Sequence, residues 1–220
     1  MTTVLSLDVD GTLYRVRRLR VAWRLRWERG LLVALVAARE KIRHEGPFDS
    51  PQALERREAE LIAPSFNMTV DACAERLDEL REAMPEALTS RVRPYPGVAG
   101  ALEAAAAKGV QLAVLSDYAP DDKLAYLGLD HLPWRARIGA DRLGVLKPSR
   151  RAFEAVAEAT GAPLASIVPV GDREDVDVVG ALDAGCRAWR FSDQSKVTSR
   201  ADGVFSRWTI DLFEPLWRSD

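Results

Sequence analysis

Two aspartates separated by one residue follow a short apolar run, Val4 to Leu7, near the start of the sequence. Because residues i and i+2 of an extended strand lie on one face, Asp8 and Asp10 are expected to project together from the strand's carboxyl end. Two adjacent negative charges need a cation or a shared proton, and Mg²⁺ prefers such oxygen ligands. The alternative interpretation is a strand that runs into a polar turn, which the following Asp-Gly pair also favours.

Two later apolar runs also end on polar residues. The run over 110–115 stops at Ser116, and the run over 167–170 stops at Gly171-Asp172. Ligands of open parallel sheets bind outside the carboxyl ends of the strands. If the three runs are neighbouring parallel strands, Ser116 and Asp172 lie at the same edge as the aspartate pair.

The elements that must position these residues alternate between strand and helix after Pro94. Strands are predicted over 4–7, 110–115, 136–139, 167–170, 187–191 and 204–205, and helices over 98–108, 120–127, 149–160 and 176–184. This alternation argues for a parallel sheet with helices on both faces. The predicted fold class is therefore α/β, with a Rossmann-like core.

Residues 15 to about 90 have a different character, because they are predicted to be helical and contain no convincing strand. Leu19, Trp23, Trp27 and Leu31 follow each other at i+4, which predicts a packed stripe on the first helix. The helix boundaries are predicted at Gly46-Pro47, Ser50-Pro51, Pro64, Thr69 and Pro85. The segment lies between the first strand and the rest of the sheet.

Four motifs in order resemble those of the haloacid dehalogenase superfamily of phosphohydrolases. They are Asp-Val-Asp-Gly-Thr at 8–12, Val-Leu-Ser at 114–116, Lys147-Pro148, and Gly-Asp-Arg-Glu-Asp-Val-Asp at 171–177. The resemblance covers residues 1–14 and about 92–195. It implies an α/β core domain of residues 1–14 and 92–220, with an all-α cap domain of residues 15–91.

The side chains at the motif positions suit the transfer of a phosphoryl group to water. Asp8 is the candidate nucleophile, and Asp10 can protonate the leaving oxygen and then activate water. Asp8, the backbone carbonyl of Asp10, and Asp172 are expected to hold Mg²⁺. Ser116 and Lys147 are expected to bind the phosphoryl oxygens.

Three further residues are candidates for supporting roles. Thr12 belongs to the first motif, and either Asp175 or Asp177 is expected to support Lys147 or a metal-bound water. The family spacing favours Asp177.

The predicted function is a Mg²⁺-dependent phosphatase that hydrolyses a small phosphorylated metabolite through an aspartyl-phosphate intermediate.

Other functions remain as alternatives. Superfamily enzymes that displace halide lack the acid at position 10, and phosphonate cleavage needs a cap lysine, for which only Lys41 is available. A phosphomutase shares the first chemical step and stays open. A non-catalytic protein could instead bind an anionic partner through the arginine-rich start of the cap. Residues 15 to 29 carry arginines at positions 15, 17, 18, 20, 24, 26 and 29.

Composition argues against several partners. The formal net charge of −2 gives no general reason to expect nucleic-acid binding. The longest apolar run, Leu31 to Ala38, is far short of the roughly 20 residues that cross a bilayer. Cys73 and Cys186 are distant and belong to no metal-ligand motif, which favours a reducing, cytoplasmic location. The oligomeric state has no signal in the sequence.

Overall fold

A computed structural model describes residues 2–17, 21, 23–194 and 197–216. Its sheet has six strands, all parallel, in the spatial order β3-β2-β1-β4-β5-β6. The strands are β1 (Val4–Leu7), β2 (Gln111–Ser116), β3 (Trp134–Gly139), β4 (Ile167–Gly171), β5 (Trp189–Phe191) and β6 (Gly203–Phe205). The predicted α/β class with a parallel, Rossmann-like sheet is confirmed.

Strand β1 occupies a central position because it pairs with β2 on one side and β4 on the other. Leu7 is in register with Val114 of β2 and with Val170 of β4. All four residues of β1 are buried, as expected for a parallel strand covered on both faces. The register brings the residues that follow these three strands to one edge of the sheet.

Helices cover both faces of the sheet. The helices that follow residue 94 and alternate with the later strands are α4 (Val98–Ala107), α5 (Asp121–Leu127), α6 (Arg150–Thr160) and α7 (Val179–Asp183). Leu5 and Leu7 share a hydrophobic cluster with α4 and α5. Val4 belongs to a second cluster with α6 and α7. Alternate residues of β1 therefore face the two helical layers, which fixes the direction in which the following aspartates point.

Between β1 and α4, the described residues form the helices α1 (Arg29–Ile42), α2 (Pro51–Ile62) and α3 (Val70–Thr89). The Ser50 hydroxyl accepts a hydrogen bond from Ala53 N at 3.1 Å, and the Thr69 hydroxyl accepts one from Ala72 N at 3.2 Å. These N-caps confirm the predicted starts of α2 and α3. The three helices share a hydrophobic cluster of their own, which includes Leu35, Ile62 and Leu77.

The predicted Trp23/Trp27 stripe is wrong. Trp23 is 68% exposed and Trp27 is 82% exposed, while Leu19 lies outside the described residues. Turns occupy residues 25–28, and α1 starts only at Arg29, so one helical register does not continue from 19 to 31. Val21 and Leu25 supply the buried positions of this stretch instead. Trp189 and Trp208, by contrast, are buried.

Two predicted helix boundaries are also corrected. Helix α3 continues past Pro85 to Thr89, whose hydroxyl donates to the Pro85 carbonyl at 2.5 Å. The predicted helix over 176–184 begins earlier, with one π-helical turn over Glu174–Val178, and becomes α7 at Val179. This wider turn carries the acidic residues of the fourth motif.

The arginine-rich stretch is described only in part, because residues 18–20 lie outside the described ranges. Arg15 pairs with Asp193, and Arg24 donates to the Glu86 carbonyl at 3.3 Å. Arg26 lies over the rings of both Trp23 and Trp27.

Within the described part of the chain, no helix combines the length and the apolar character that membrane crossing requires.

Candidate active site

Asp8 is the first residue beyond β1, and its backbone N–H donates to Val170 O at 2.9 Å. Both oxygens of its buried carboxylate have partners. Oδ1 accepts from Lys147 Nζ at 2.8 Å, and Oδ2 accepts from the Thr12 hydroxyl at 3.0 Å. Because all three side chains are buried, these contacts fix the orientation of the carboxylate.

Lys147 bridges two acids at the sheet edge. Besides Asp8, its ammonium donates to Asp177 Oδ1 at 2.7 Å and to Leu115 O at 3.3 Å. Burial alone would lower the pKa of Lys147, but Asp177 and Asp8 raise it above its ordinary value. Lys147 therefore stays a cation across the physiological pH range.

Asp175 and Asp177, the two acids considered as partners of Lys147, have different surroundings in the structure. Asp177 accepts from Lys147 and, through Oδ2, from Arg173 N at 3.1 Å. It folds back over Gly171, where an added Cβ would lie only 2.2 Å from the Asp177 Cγ. Asp175 is exposed and pairs instead with the Arg173 guanidinium at 2.6 Å. Asp177 is thus the acid beside Lys147.

Three carboxylates converge at the same edge. Asp8, Asp172 and Asp177 each offer an oxygen, and these oxygens lie within 4.8 Å of one another. Gly11 lets Asp172 approach, since its φ is +96° and an added Cβ would lie 2.5 Å from Asp172 Oδ2. Three negative charges face the single positive charge of Lys147. This excess of negative charge fits a divalent cation bound through oxygen ligands.

Burial and the neighbouring carboxylates together raise the pKa values of two of these groups. Burial raises the pKa of Asp8 to about 7, with Asp177 and Asp172 adding to the rise and Lys147 opposing it. Burial and Asp177 raise the pKa of Asp172 to about 6. A bound cation would favour the ionised forms that burial disfavours. The donor set therefore meets the electrostatic requirement of a Mg²⁺ site.

The Asp10 carboxylate is held apart from that trio. Its Oδ1 accepts from the Tyr14 hydroxyl, and its Oδ2 is ion-paired with Lys123 on α5. Burial, together with Asp10, raises the pKa of Tyr14, so the phenol keeps its proton and remains a donor. The Asp10 side chain thus has two fixed partners while part of it still reaches solvent.

Ser116 ends β2 and is buried. Its hydroxyl accepts a hydrogen bond from Tyr118 N at 3.4 Å. The preceding residue, Leu115, supplies the carbonyl that Lys147 contacts. The sheet edge therefore brings together Asp8, Ser116, Lys147, Asp172 and Asp177, as the order of the motifs predicts.

Lys123 and Asp117 were missed by sequence reasoning, although both contact predicted site residues. Lys123 belongs to no motif, but it lies on the buried face of α5 with Leu124 and Leu127. A lysine at a buried position of a short amphipathic helix is the signal that could have identified it. Asp117 follows the motif serine directly and accepts from Lys147 N at 2.9 Å.

Comparison with known proteins agrees with this geometry. The family model of haloacid dehalogenase-like hydrolases matches residues 2–185. The glyceraldehyde 3-phosphate phosphatase of Methanothermobacter thermautotrophicus is 31% identical over 100 residues. That match spans 44% of this chain and 44% of the relative, so the chain covers less than half of the relative's length.

Solved structures share the whole fold. The 2-haloacid dehalogenase of Pseudomonas syringae pv. tomato DC3000 has a TM-score of 0.67 at 23% identity, with 98% of each chain covered. A predicted phosphoglycolate phosphatase of Haemophilus somnus 129PT has a TM-score of 0.65 at 20% identity, with 97% of each covered. The HAD phosphatase of Thermococcus onnurineus has a TM-score of 0.59 at 20% identity, with 98% of each covered. At these identities the likeness concerns the fold.

Proposed function

Since the chain belongs to the haloacid dehalogenase-like hydrolases, we propose that it hydrolyses a phosphoric monoester of a small metabolite through an aspartyl-phosphate intermediate. The observation that carries the proposal is the Asp10 carboxylate, held by Tyr14 and Lys123 two residues beyond Asp8. An alkoxide leaving group needs a proton, whereas a halide does not. A fixed acid at this position therefore favours ester hydrolysis over halide displacement.

In the first step, an Asp8 carboxylate oxygen attacks phosphorus, and the bond from phosphorus to the ester oxygen breaks. Asp10 gives its proton to that departing oxygen. The contacts of Asp8 with Lys147 and Thr12 support the nucleophile's role, since they hold the carboxylate in one orientation. Such positioning accounts for much of the rate in phosphoryl transfer.

In the second step, Asp10 takes a proton from water while the water oxygen attacks phosphorus. The bond from phosphorus to Asp8 breaks, which restores both carboxyl groups and releases inorganic phosphate. Lys147 and Ser116 bind the phosphoryl oxygens during both transfers. Asp177 holds the Lys147 ammonium in place.

Mg²⁺ is the proposed cofactor. Asp8, Asp172 and the backbone carbonyl of Asp10 would hold it, and the Asp177 carboxylate lies close enough to assist. When bound, the cation supplies charge neutralisation between the nucleophile and the phosphate. The raised pKa values of Asp8 and Asp172 support this assignment, because burial and neighbouring carboxylates disfavour the ionised forms that a bound cation would stabilise.

The proposed domain organisation assigns residues 1–14 and 92–220 to the catalytic core and residues 15–91 to a helical cap. The separate hydrophobic cluster of α1, α2 and α3 supports it. Those helices also contact the strand-end loops, as Arg39 of α1 donates to Asp117 O at 3.2 Å. On this proposal the helical segment selects the substrate's organic group.

A screen of phosphorylated metabolites with and without Mg²⁺ tests the proposal through release of inorganic phosphate. A 2-haloacid in the same screen tests halide displacement through chloride release. We expect phosphate release that depends on both Mg²⁺ and Asp8. Chloride release without phosphate release from any ester would overturn the assignment.

Phosphomutase activity is the second candidate, because it shares the aspartyl-phosphate step. Turnover in ¹⁸O-labelled water separates the two, since hydrolysis places one labelled oxygen in the released phosphate and transfer to a second hydroxyl does not. Asp10→Asn should slow breakdown of the intermediate, so the variant is expected to accumulate phosphorylated protein. Unlabelled phosphate ester as the main product would favour the mutase.

A further inference from the structure

The C-terminal end of α1 contacts the backbone carbonyl of Lys147 directly and its backbone N–H through Asp117. Arg43, the C-cap residue of α1, donates to Lys147 O at 2.7 Å and to Asp117 Oδ2 at 2.6 Å. The other oxygen of Asp117 accepts from Lys147 N at 2.9 Å. Arg43 and Asp117 therefore enclose the peptide groups on both sides of the lysine Cα.

A second route connects the same helix end to the Lys147 side chain. Arg43 donates to Glu40 at 3.1 Å, and Glu40 accepts two hydrogen bonds from Arg173 at 2.8 and 3.2 Å. The Arg173 backbone N–H donates to Asp177, which in turn holds the Lys147 ammonium. We call this closed set of contacts the ionic ring: Glu40, Arg43, Asp117, Lys147, Arg173 and Asp177.

The two halves of the ionic ring differ in exposure. The side chains of Arg43 and Asp117 are 9% and 15% exposed, whereas those of Glu40 and Arg173 are 43% and 37% exposed. Exposed pairs contribute little and are screened by salt, while breaking a buried pair leaves an uncompensated charge. The buried half therefore dominates the link between α1 and Lys147.

We propose that Arg43 and Asp117 are positioning residues for Lys147, so that helix α1 holds the phosphate-binding lysine in place. Each contributes a charge-assisted hydrogen bond to a backbone group of Lys147, and such bonds are stronger and more directional than neutral ones. The lysine then reaches Asp8 only while α1 stays docked on the strand-end loops. Binding of a substrate under the helical segment is thereby coupled to assembly of the catalytic edge.

The first test measures positioning without catalysis. Amide hydrogen exchange, followed by NMR, is compared at Lys147 and at Asp8 in wild type, Arg43→Met and Asp117→Ala. We expect exchange at the Lys147 amide to rise at least about tenfold, because loss of its partners lowers the local opening free energy. The Asp8 amide, bound to Val170 O, should keep its protection.

A matched control removes an arginine ion pair elsewhere. Arg57 pairs with Glu45 at 2.8 Å at the surface of α2, away from Lys147, so Arg57→Met should leave the Lys147 amide unchanged. If Arg43→Met does not fold, Arg43→Lys retains the charge but gives up the two-pronged guanidinium. Unchanged exchange at Lys147 in Asp117→Ala and in whichever arginine variant folds would overturn the proposal.

The second test uses kinetics and rests on the proposed phosphatase function. Arg43→Met is expected to lower kcat about tenfold or more with little change in KM, the scale on which small misplacements of catalytic groups act. In a Lys147→Met background the same change should cost no further kcat. Equal losses in both backgrounds would mean that Arg43 does not act through Lys147.

The two proposals fail in different ways. If wild type hydrolyses no phosphate ester, the function is wrong, while hydrogen exchange at Lys147 still decides the positioning. Binding of inorganic phosphate, measured by calorimetry, gives a further readout that needs no turnover. If phosphate esters are hydrolysed but Arg43→Met keeps wild-type kcat and Lys147 protection, the function stands and the positioning proposal fails.

Discussion

The ammonium of Lys123 forms an ion pair with the Asp10 carboxylate, and the lysine side chain is only 1% exposed. The Lys123 ammonium also lies 5.1 Å from the centre of the Tyr118 ring. Together with the Tyr14 hydroxyl, it leaves neither oxygen of Asp10 free to rotate away. Through Lys123, helix α5 therefore restrains the carboxylate of Asp10, the proposed acid–base group.

Lys123→Met should lower kcat about 10- to 100-fold. A positioned acid or base contributes about 10²- to 10⁴-fold to the rate, and the substitution should remove only a part of that, because Asp10 itself remains. The substitution keeps the length of the side chain and removes the ion pair that orients Asp10. Steady-state kinetics on the best ester of the screen measures it, with exposed Lys108→Met as the matched control. Turnover equal to that of the control would exclude a role for Lys123.

Asp8→Asn should lower turnover by at least about 10³-fold, because an amide oxygen is a poor nucleophile. The fold should persist, since the Asn amide oxygen can accept from Lys147 while its NH₂ group donates to the Thr12 hydroxyl oxygen. Kinetic measurements test the loss of turnover, and circular dichroism tests whether the fold persists. Asp183→Asn, an exposed change on α7, is the control, and retention of a tenth of wild-type turnover would reject Asp8 as nucleophile.

Mg²⁺ should raise the Tm of the wild-type protein and leave the Tm of Asp172→Asn nearly unchanged. A ligand that binds only the folded state stabilises it in proportion to the logarithm of its concentration. Asp172 contributes one of the three clustered carboxylates, so its loss weakens the site. Thermal melts over a Mg²⁺ titration test this, and an equal Tm rise in both proteins would place the cation elsewhere.

The Mg²⁺-free protein should lose stability as pH rises from about 4 to about 7. The folded-state pKa of Asp8 is raised to about 7 from an ordinary value of 3.8, so the native state binds more protons than the unfolded state in that window. Asp172, raised to about 6, acts in the same direction. Lys147 contributes no slope here, because it is charged in both states.

Urea denaturation at a series of pH values, with chelator present, measures this slope. The decline should be smaller in Asp8→Asn, which lacks the titrating carboxyl, and saturating Mg²⁺ should remove most of it in wild type. The assignment of the slope to Asp8 would be contradicted if the free energy of unfolding of the wild type rose between about pH 4 and about pH 7, and rose more than that of Asp8→Asn.

The sequence predicted the parallel sheet and the convergence of the motif residues for simple physical reasons. Strand β1 is a short apolar run with buried residues on both faces, and its length leaves little room for another interpretation. Ser50-Pro51 and Thr69 predicted helix starts because capping chemistry is local. Features determined by neighbouring residues were therefore readable in advance.

Features that depend on distant contacts were not. The Arg43–Asp117 pair joins residues 74 positions apart, and no local pattern in either segment indicates the other. The i+4 spacing of Trp23 and Trp27 predicted burial, but turns before α1 shift the register and leave both rings exposed. Periodicity predicts a face of a helix only where the helix is continuous.

The central position of β1 has a consequence for synthesis of the chain. Strand β1, which Asp8 directly follows, can pair first with β2, which begins at Gln111, and only later with β4, which begins at Ile167. At typical translation speeds of about 5–20 residues per second, roughly 8 to 33 s separate the emergence of β1 from that of β4. During that interval the nascent chain contains an apolar strand whose second edge has no partner, a state that is prone to aggregation.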